Sequence, residues 1–354
     1  MEMHGMEWSG RGVSGVSEAR RVAESVRDAG LGDAPDAAAH RYREALALLG
    51  DSELTPLHAD VLRWYGTALR DTGRTSDAEP LFQRSLNIAQ RLEYTAGAAH
   101  ALNCLAGLSQ RRGDIRRTAH MLADAAILAD ASSQTRLLTM IHSNLGILAD
   151  VRGDTAAALA HYHAALWASE GAGDDQEISW VLVNFGVLLG KLGQTDEAER
   201  AFTRGLSIAR ARGDAVAEGL FEENSAELFM VRGELDDASA CIGRALDIAE
   251  RRHDNVRLAA ALKLRGAHER MCGRTQDAAF TLRHGLTLAA VGEDALLGGE
   301  MLYQFGLALY ADDNEAMARE VWGAALDAFE RIAAADWVTR VRERLSFGPT
   351  GHYL

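Results

Sequence analysis

Large apolar residues flank a small one at helical spacing: Leu182, Phe185 and Leu189 around Gly186, and Leu302, Phe305 and Leu309 around Gly306. Side chains three and four positions apart share one helix face, so each cluster predicts an amphipathic helix that is slim at its centre. The small position recurs every 40 residues, as Gly66, Ala106, Gly146, Gly186, Ala226, Gly266 and Gly306, with no insertion or deletion. Seven residues after each stands a turn residue: Gly73, Gly113, Gly153, Gly193, Gly233, Gly273 and finally Asp313. An apolar position follows twenty residues after the small one, from Leu86 and Ala126 to Leu286 and Leu326. A period of this length marks stacked supersecondary units, each too small to bury its own apolar face.

The small residue has a packing reason. Two helices of a hairpin cross closely only where one of them carries Gly or Ala. Asp174, Asp214, Asp254 and Asp294 recur with the same period, placed to cap the first helix of the next hairpin through its free N–H groups. Ser76 with Glu79, and Asp196 with Glu199, have capping-box spacing at the start of second helices. The rhythm predicts a flexible tail over 1–13, eight hairpins of 40 residues over 14–333, a capping helix over 334–346 and a flexible tail over 347–354. Trp337, Val338, Val341 and Leu345 give that last helix its apolar side. The fold class expected is all-α.

Composition agrees. Prolines number 4 and aromatic residues make up 6%, too few for a sandwich or barrel, while alanine and leucine abound. A net charge of −14 argues against nucleic acid as a partner, since phosphate binding rests on clustered cations. Lys191 and Lys263 are the chain's lysines among 37 basic residues, a bias of GC-rich coding. The cysteines, Cys104, Cys241 and Cys272, are isolated and read as free buried thiols. No apolar stretch is long enough for a membrane span, and the first residues lack a secretory apolar region, so the expected location is cytoplasmic.

The pattern Asn144-Leu145-Gly146, Gly153, Ala158, Ala165-Leu166, repeated as Asn184-Phe185-Gly186, Gly193, Ala198, Leu206, resembles the tetratricopeptide repeat. The long unit is similar to that of Pins-type adaptors and of the repeat regions of actinobacterial ATPase-linked transcription regulators. The resemblance spans about residues 14–346 and implies a right-handed superhelical solenoid whose first helices line a concave groove. On that footing the groove would hold Arg63, Trp64, Asn103, Met140, Asn144, Trp180 and Asn184. Further along it would hold Glu223, Asn224, Glu227, Lys263, Arg270, Tyr303 and Gln304. The ladder Asn144, Asn184, Asn224 offers amide donors and acceptors for an extended peptide backbone, with Met140 and Trp180 as apolar anchors. The competing reading is that these amides bond within the array. Glu223, Glu227 and Lys263 predict an inter-helix ion network on the groove wall, with Arg270 beyond it. The two-lysine carboxylate clamp of chaperone cofactors is absent, because Ala267 stands where its second cation would be.

Chemistry is not indicated. Gly190-Lys191 lacks the spaced glycine of a phosphate loop, and His161 and His163 point to different sides of a helix. The reading assigns no catalytic residue, no metal and no cofactor. It expects a non-catalytic adaptor holding a protein or peptide in the groove, with a homodimer left open. The alternative is a receptor for a signalling peptide or small metabolite linked to transcription control. An enzyme of unrecognised type comes last.

Overall fold

The computed structural model describes residues 10–29, 35–50, 54–72, 74–132, 134–291, 294–332 and 334–347. Gly73, most of the first tail and residues 348–354 lie outside the described residues. Among the described residues every regular element is an α-helix, and the chain divides into two compact units, 1–109 with 116–137 and 110–115 with 138–354.

The first unit holds α1 (Gly10–Ala29), α2 (Pro35–Leu49), α3 (Pro56–Asp71), α4 (Thr75–Arg91), α5 (Thr95–Arg111) and α6 (Ile115–Ser132). The second opens with α7 (Thr135–Val151), α8 (Thr155–Ala172), α9 (Asp175–Lys191), α10 (Thr195–Arg212), α11 (Ala215–Arg232) and α12 (Leu235–Arg251). It closes with α13 (Asn255–Met271), α14 (Thr275–Val291), α15 (Ala295–Ala311), α16 (Glu315–Arg331) and α17 (Ala335–Phe347). The protein is an all-α helical-repeat solenoid. α1 begins at Gly10, inside the stretch read as a tail, and α17 runs one residue past its expected end at 346.

Turns and caps follow the rhythm. Gly153 and Gly193 adopt φ of 74°, a left-handed conformation that costs glycine nothing. Asp313 takes φ of 58° at the matching place, with a side chain. Asp174, Asp214, Asp254 and Asp294 accept from the backbone N–H of Glu177, Ala217, Arg257 and Leu297 at 3.0–3.2 Å. The two expected capping boxes do not form. Arg74 and Gln194 occupy those N-cap positions and make no side-chain capping bond, the Arg74 guanidinium pairing with Asp77 instead. Asp196 and Glu199 instead accept from Arg232 at 3.0 and 2.6 Å, since that guanidinium reaches both from the next hairpin.

The slim crossings are filled from the partner helix. A Cβ on Gly66 would stand 2.7 Å from the Phe82 ring, and one on Gly146 would stand 2.9 Å from Tyr162. Phe202, Leu282 and Trp322 cover Gly186, Gly266 and Gly306 more closely still. A second row of small residues, Ala45, Ser85, Ala125, Ala165, Gly205, Ala245, Gly285 and Ala325, runs through the second helices and is buried. There Gly205 meets Phe221 and Gly285 meets Met301, both on the following helix. Interiors close-packed in this way leave no room for an added methyl group.

Candidate functional site

Within the second unit the odd helices lie side by side. α9 packs on α11, α11 on α13 and α13 on α15, whereas among the described residues α10, α12, α14 and α16 make no such lateral pairs. The odd helices therefore converge on the inner side of this unit, and their side chains meet across it.

The expected groove residues of this unit lie on these odd helices and on α7. Asn184 donates to the Ser143 hydroxyl at 3.4 Å, and Asn224 donates to the Leu220 carbonyl at 2.7 Å. Both amides thus spend one donor inside the array, yet both stay partly exposed with acceptor capacity left over. Asn144, Met140 and Trp180 are also half-buried, and Trp180 packs against the Leu182–Phe202 core. Glu223, Tyr303 and Gln304 are buried, which departs from the expectation that they display their side chains. The adjoining odd helices close over them.

The charged cluster forms, with two members the sequence reading did not include. Arg257 donates to Glu223 at 3.2 Å, and Lys263 stands 2.6 Å from Glu300 and 3.9 Å from Glu227. Three carboxylates share two cations there. Burial pushes Glu223 up to about 7, against the pull of Arg257 and Lys263. Glu227 is raised for the same reason, although 54% of its side chain is open to solvent, which weakens the effect. Lys263 is raised because the carboxylates of Glu300 and Glu227 outweigh its desolvation.

Arg270 does not join this network. It lies beside Tyr303 and Arg344 near the end of the row, and its Nε is buried without a hydrogen-bond partner. Next to Tyr303, the Oε1 of Gln304 is likewise buried and unpaired.

The first unit carries Arg63, Trp64 and Asn103. Arg63 pairs with Asp60 at 3.2 Å, and both Arg63 and Arg27 lie over the Trp64 ring at 5.7 and 5.0 Å. Asn103 is buried rather than displayed. Beside this cluster His100 is held neutral, pushed down to about 3 by burial and then by Arg63 and Arg136.

Residues 137–211 match the tetratricopeptide repeat family. A Rap protein complexed with competence and sporulation factor superposes at TM-score 0.64, covering 95% of this chain and 97% of that one at 11% identity. The apo quorum sensor NprR from B. thuringiensis also gives 0.64, over 92% of this chain and 89% of its own, at 14% identity. Aspartyl phosphate phosphatase F from Bacillus subtilis gives 0.54 at 13% identity, over 100% and 99%. No curated protein matches the sequence. The fold is a tetratricopeptide-repeat solenoid.

Other sites have simple accounts. Cys104 and Cys241 are buried, but Cys272 is exposed, contrary to expectation, beside His268 at 3.7 Å. His161 meets His142 across the α7–α8 hairpin at 3.2 Å, while His163 edges the Phe185 ring. Among the described residues no three His, Cys, Asp or Glu gather as a metal site, and no helix is long and apolar enough to cross a membrane. A shallow hollow near Asp196, Glu199 and Arg204 is open and lined by α10 alone.

Proposed function

We propose that this protein binds a peptide, or an extended segment of a protein, along the inner surface of α7 to α15, and acts as a regulatory receptor or adaptor without catalysis of its own. One observation carries the reading. Asn184, Asn224, Met140 and Trp180 are each half-buried on odd helices, of which α9 and α11 pack side by side, and on this reading they offer amide groups beside apolar anchors. That pairing suits a backbone that needs hydrogen bonds and side chains that need pockets.

Two structural neighbours support it, one a Rap protein complexed with competence and sporulation factor and the other a quorum sensor. A third is an aspartyl phosphate phosphatase, so the fold by itself does not separate binding from catalysis. Its sequence distance leaves that activity with the neighbour. The charge of −14 favours a peptide over nucleic acid, and a cytoplasmic setting belongs to the same reading.

The test is a thermal melt of the full chain with a positional mixture of pentapeptides. Binding to the folded state raises the melting temperature by mass action. A shift in the wild type that is lost when Asn144, Asn184 and Asn224 are changed together to alanine supports the reading. A shift that survives the triple change moves the binding surface elsewhere, and no shift at millimolar peptide removes it.

A further inference from the structure

One position near each hairpin crossing is leucine almost throughout. Four residues before the small crossing residue stand Leu62, Leu102, Leu182, Leu262 and Leu302. Two hairpins depart from this, with His142 and Glu222. Glu222 has its own partners, since Arg210 and Arg244 both reach its carboxylate. His142 meets another imidazole. Its Nδ1 stands 3.2 Å from the Nδ1 of His161, whose place in the neighbouring hairpins is held by Met121 and Ala201. The pair lies beside the Gly146–Tyr162 crossing, His142 one turn before Gly146 on α7 and His161 next to Tyr162 on α8.

Packing does not ask for this pair. Apolar residues fill the same two places in the hairpins before and after it. Two half-buried imidazoles instead exchange part of their hydration for one hydrogen bond between them. A shared metal ion accounts for the spacing. Zn²⁺ holds imidazole nitrogens at about 2.0–2.1 Å in a tetrahedron, which sets two of them about 3.3 Å apart. Burial lowers the proton affinity of both rings; His161 adds to the lowering on His142, and Asp154 acts against it on His161. Both rings are therefore neutral at pH 7, the form that ligates a metal.

We infer that His142 and His161 form a binding site for one divalent transition-metal ion, Zn²⁺ by its geometry, that ties α7 to α8. Each ring gives the ion the lone pair of its Nδ1. The proton now shared between the two Nδ1 atoms passes to the Nε2 of the ring that carries it, so both rings stay neutral and no proton is released. Among the described residues no third His, Cys, Asp or Glu completes the set. The remaining coordination positions belong to water, and the site is open and exchangeable, unlike a closed four-ligand structural site. A dication also suits a chain of net charge −14. The inference stands apart from the peptide-binding reading, and either can fail alone.

Melting of the full, untagged chain across a Zn²⁺ series tests it, because an ion that binds the folded state raises the melting temperature. The wild type should gain stability with Zn²⁺ and none with Mg²⁺, which seeks oxygen ligands. Two variants copy the residues of the next hairpin, His142→Leu after Leu182 and His161→Ala after Ala201, so the fold should survive each. Either should raise the half-saturating Zn²⁺ concentration by about tenfold or more, since even groups that only orient a metal's ligands are worth about that factor. Co²⁺ in place of Zn²⁺ should give a visible d–d absorption in the wild type that both variants lose. No rise in melting temperature at millimolar Zn²⁺ overturns the site and leaves the pair as a hydrogen bond. A rise that Mg²⁺ reproduces, or that both variants retain, places the ion elsewhere and overturns it as well.

Discussion

Glu222 and Glu223 are neighbours on α11 and live in different parts of the molecule. Glu222 points between α10 and α12, is 0% exposed and accepts from both Arg210 and Arg244 at 2.7 Å. Glu223 points along the odd helices and shares two cations with two further carboxylates. One side of the helix serves the stack of hairpins, where the Glu222 carboxylate is matched by two cations and a small residue marks each crossing. The other side varies from step to step: the position three before the small residue is Ser143, Val183, Glu223, Lys263 and Tyr303 in turn. Stability in a repeat array is a sum of like neighbour contacts. An inner surface that those contacts do not use is free to differ, and that is where binding specificity can be written.

The sharpest way to break this comparison is at Glu222. Changing Arg210 and Arg244 together to alanine leaves a fully buried carboxylate without its cations, and such a loss typically costs about 3–5 kcal/mol. Urea unfolding of the double variant measures it. A loss under about 1 kcal/mol would mean that Glu222 is reached by solvent and that the two sides of α11 are not so different.

The next effect concerns its neighbour and depends on pH. Glu223 titrates near 7 when folded against a reference of 4.5, so the folded protein holds this proton longer than the unfolded chain does. The sign follows from linkage: the contribution is fully present below about 4.5 and is lost as pH rises through about 7. On the order of 2–3 kcal/mol of stability should disappear across that window, with a smaller part from half-open Glu227. Glu223→Gln should flatten the profile and be the more stable form at pH 8. A wild-type curve that is flat or rising between pH 5 and 8 contradicts the burial of the Glu223 carboxyl as the cause.

Crossings come third. Gly186→Leu drives a side chain into the Phe202 ring and should cost about 1–3 kcal/mol by overpacking. Ala106 and Ala226, by contrast, stand in register with the smaller partners Leu122 and Ile242. A thermal melt of Gly186→Leu equal to wild type would mean that the crossing is looser than the Phe202 approach indicates. A cap change is milder: Asp214→Ala removes the bond to the Ala217 N–H and should cost about 1 kcal/mol.

These two sides also differ in how far they could be read from the chain. The stack was legible because its constraints repeat. A slim residue, a turn and a capping aspartate at one period are visible without coordinates. The second slim row, from Ala45 to Ala325, and the bulky residues Phe82, Tyr162, Phe202 and Trp322 opposite the glycines carry the same period. A search at every offset would have found them. The inner surface was only partly legible. Glu223, Glu227 and Lys263 could be seen as neighbours on adjoining helices, but Arg257 and Glu300 reach into the cluster from 34 and 37 residues away through long, flexible side chains. Burial of Asn103, Tyr303 and Gln304 depends on how neighbouring helices close over them, which no local pattern records.

The smallest effect tests whether the inner surface is dispensable for folding. Asn184→Ala removes a single amide bond to Ser143 at 3.4 Å, a long contact at a half-open position. Water can take over the Ser143 hydroxyl in part, so the net loss should stay within about 0.5–1 kcal/mol. Asn224 spends its bond on the Leu220 carbonyl of its own helix, an acceptor that the helix ladder already serves, so Asn224→Ala should cost still less. Chemical unfolding of both single variants, run beside Asp214→Ala, ranks the three. If either asparagine proves as costly as the cap, then the amide ladder is part of the stack, and the division between a repeated structural side and a free inner side does not hold at these positions.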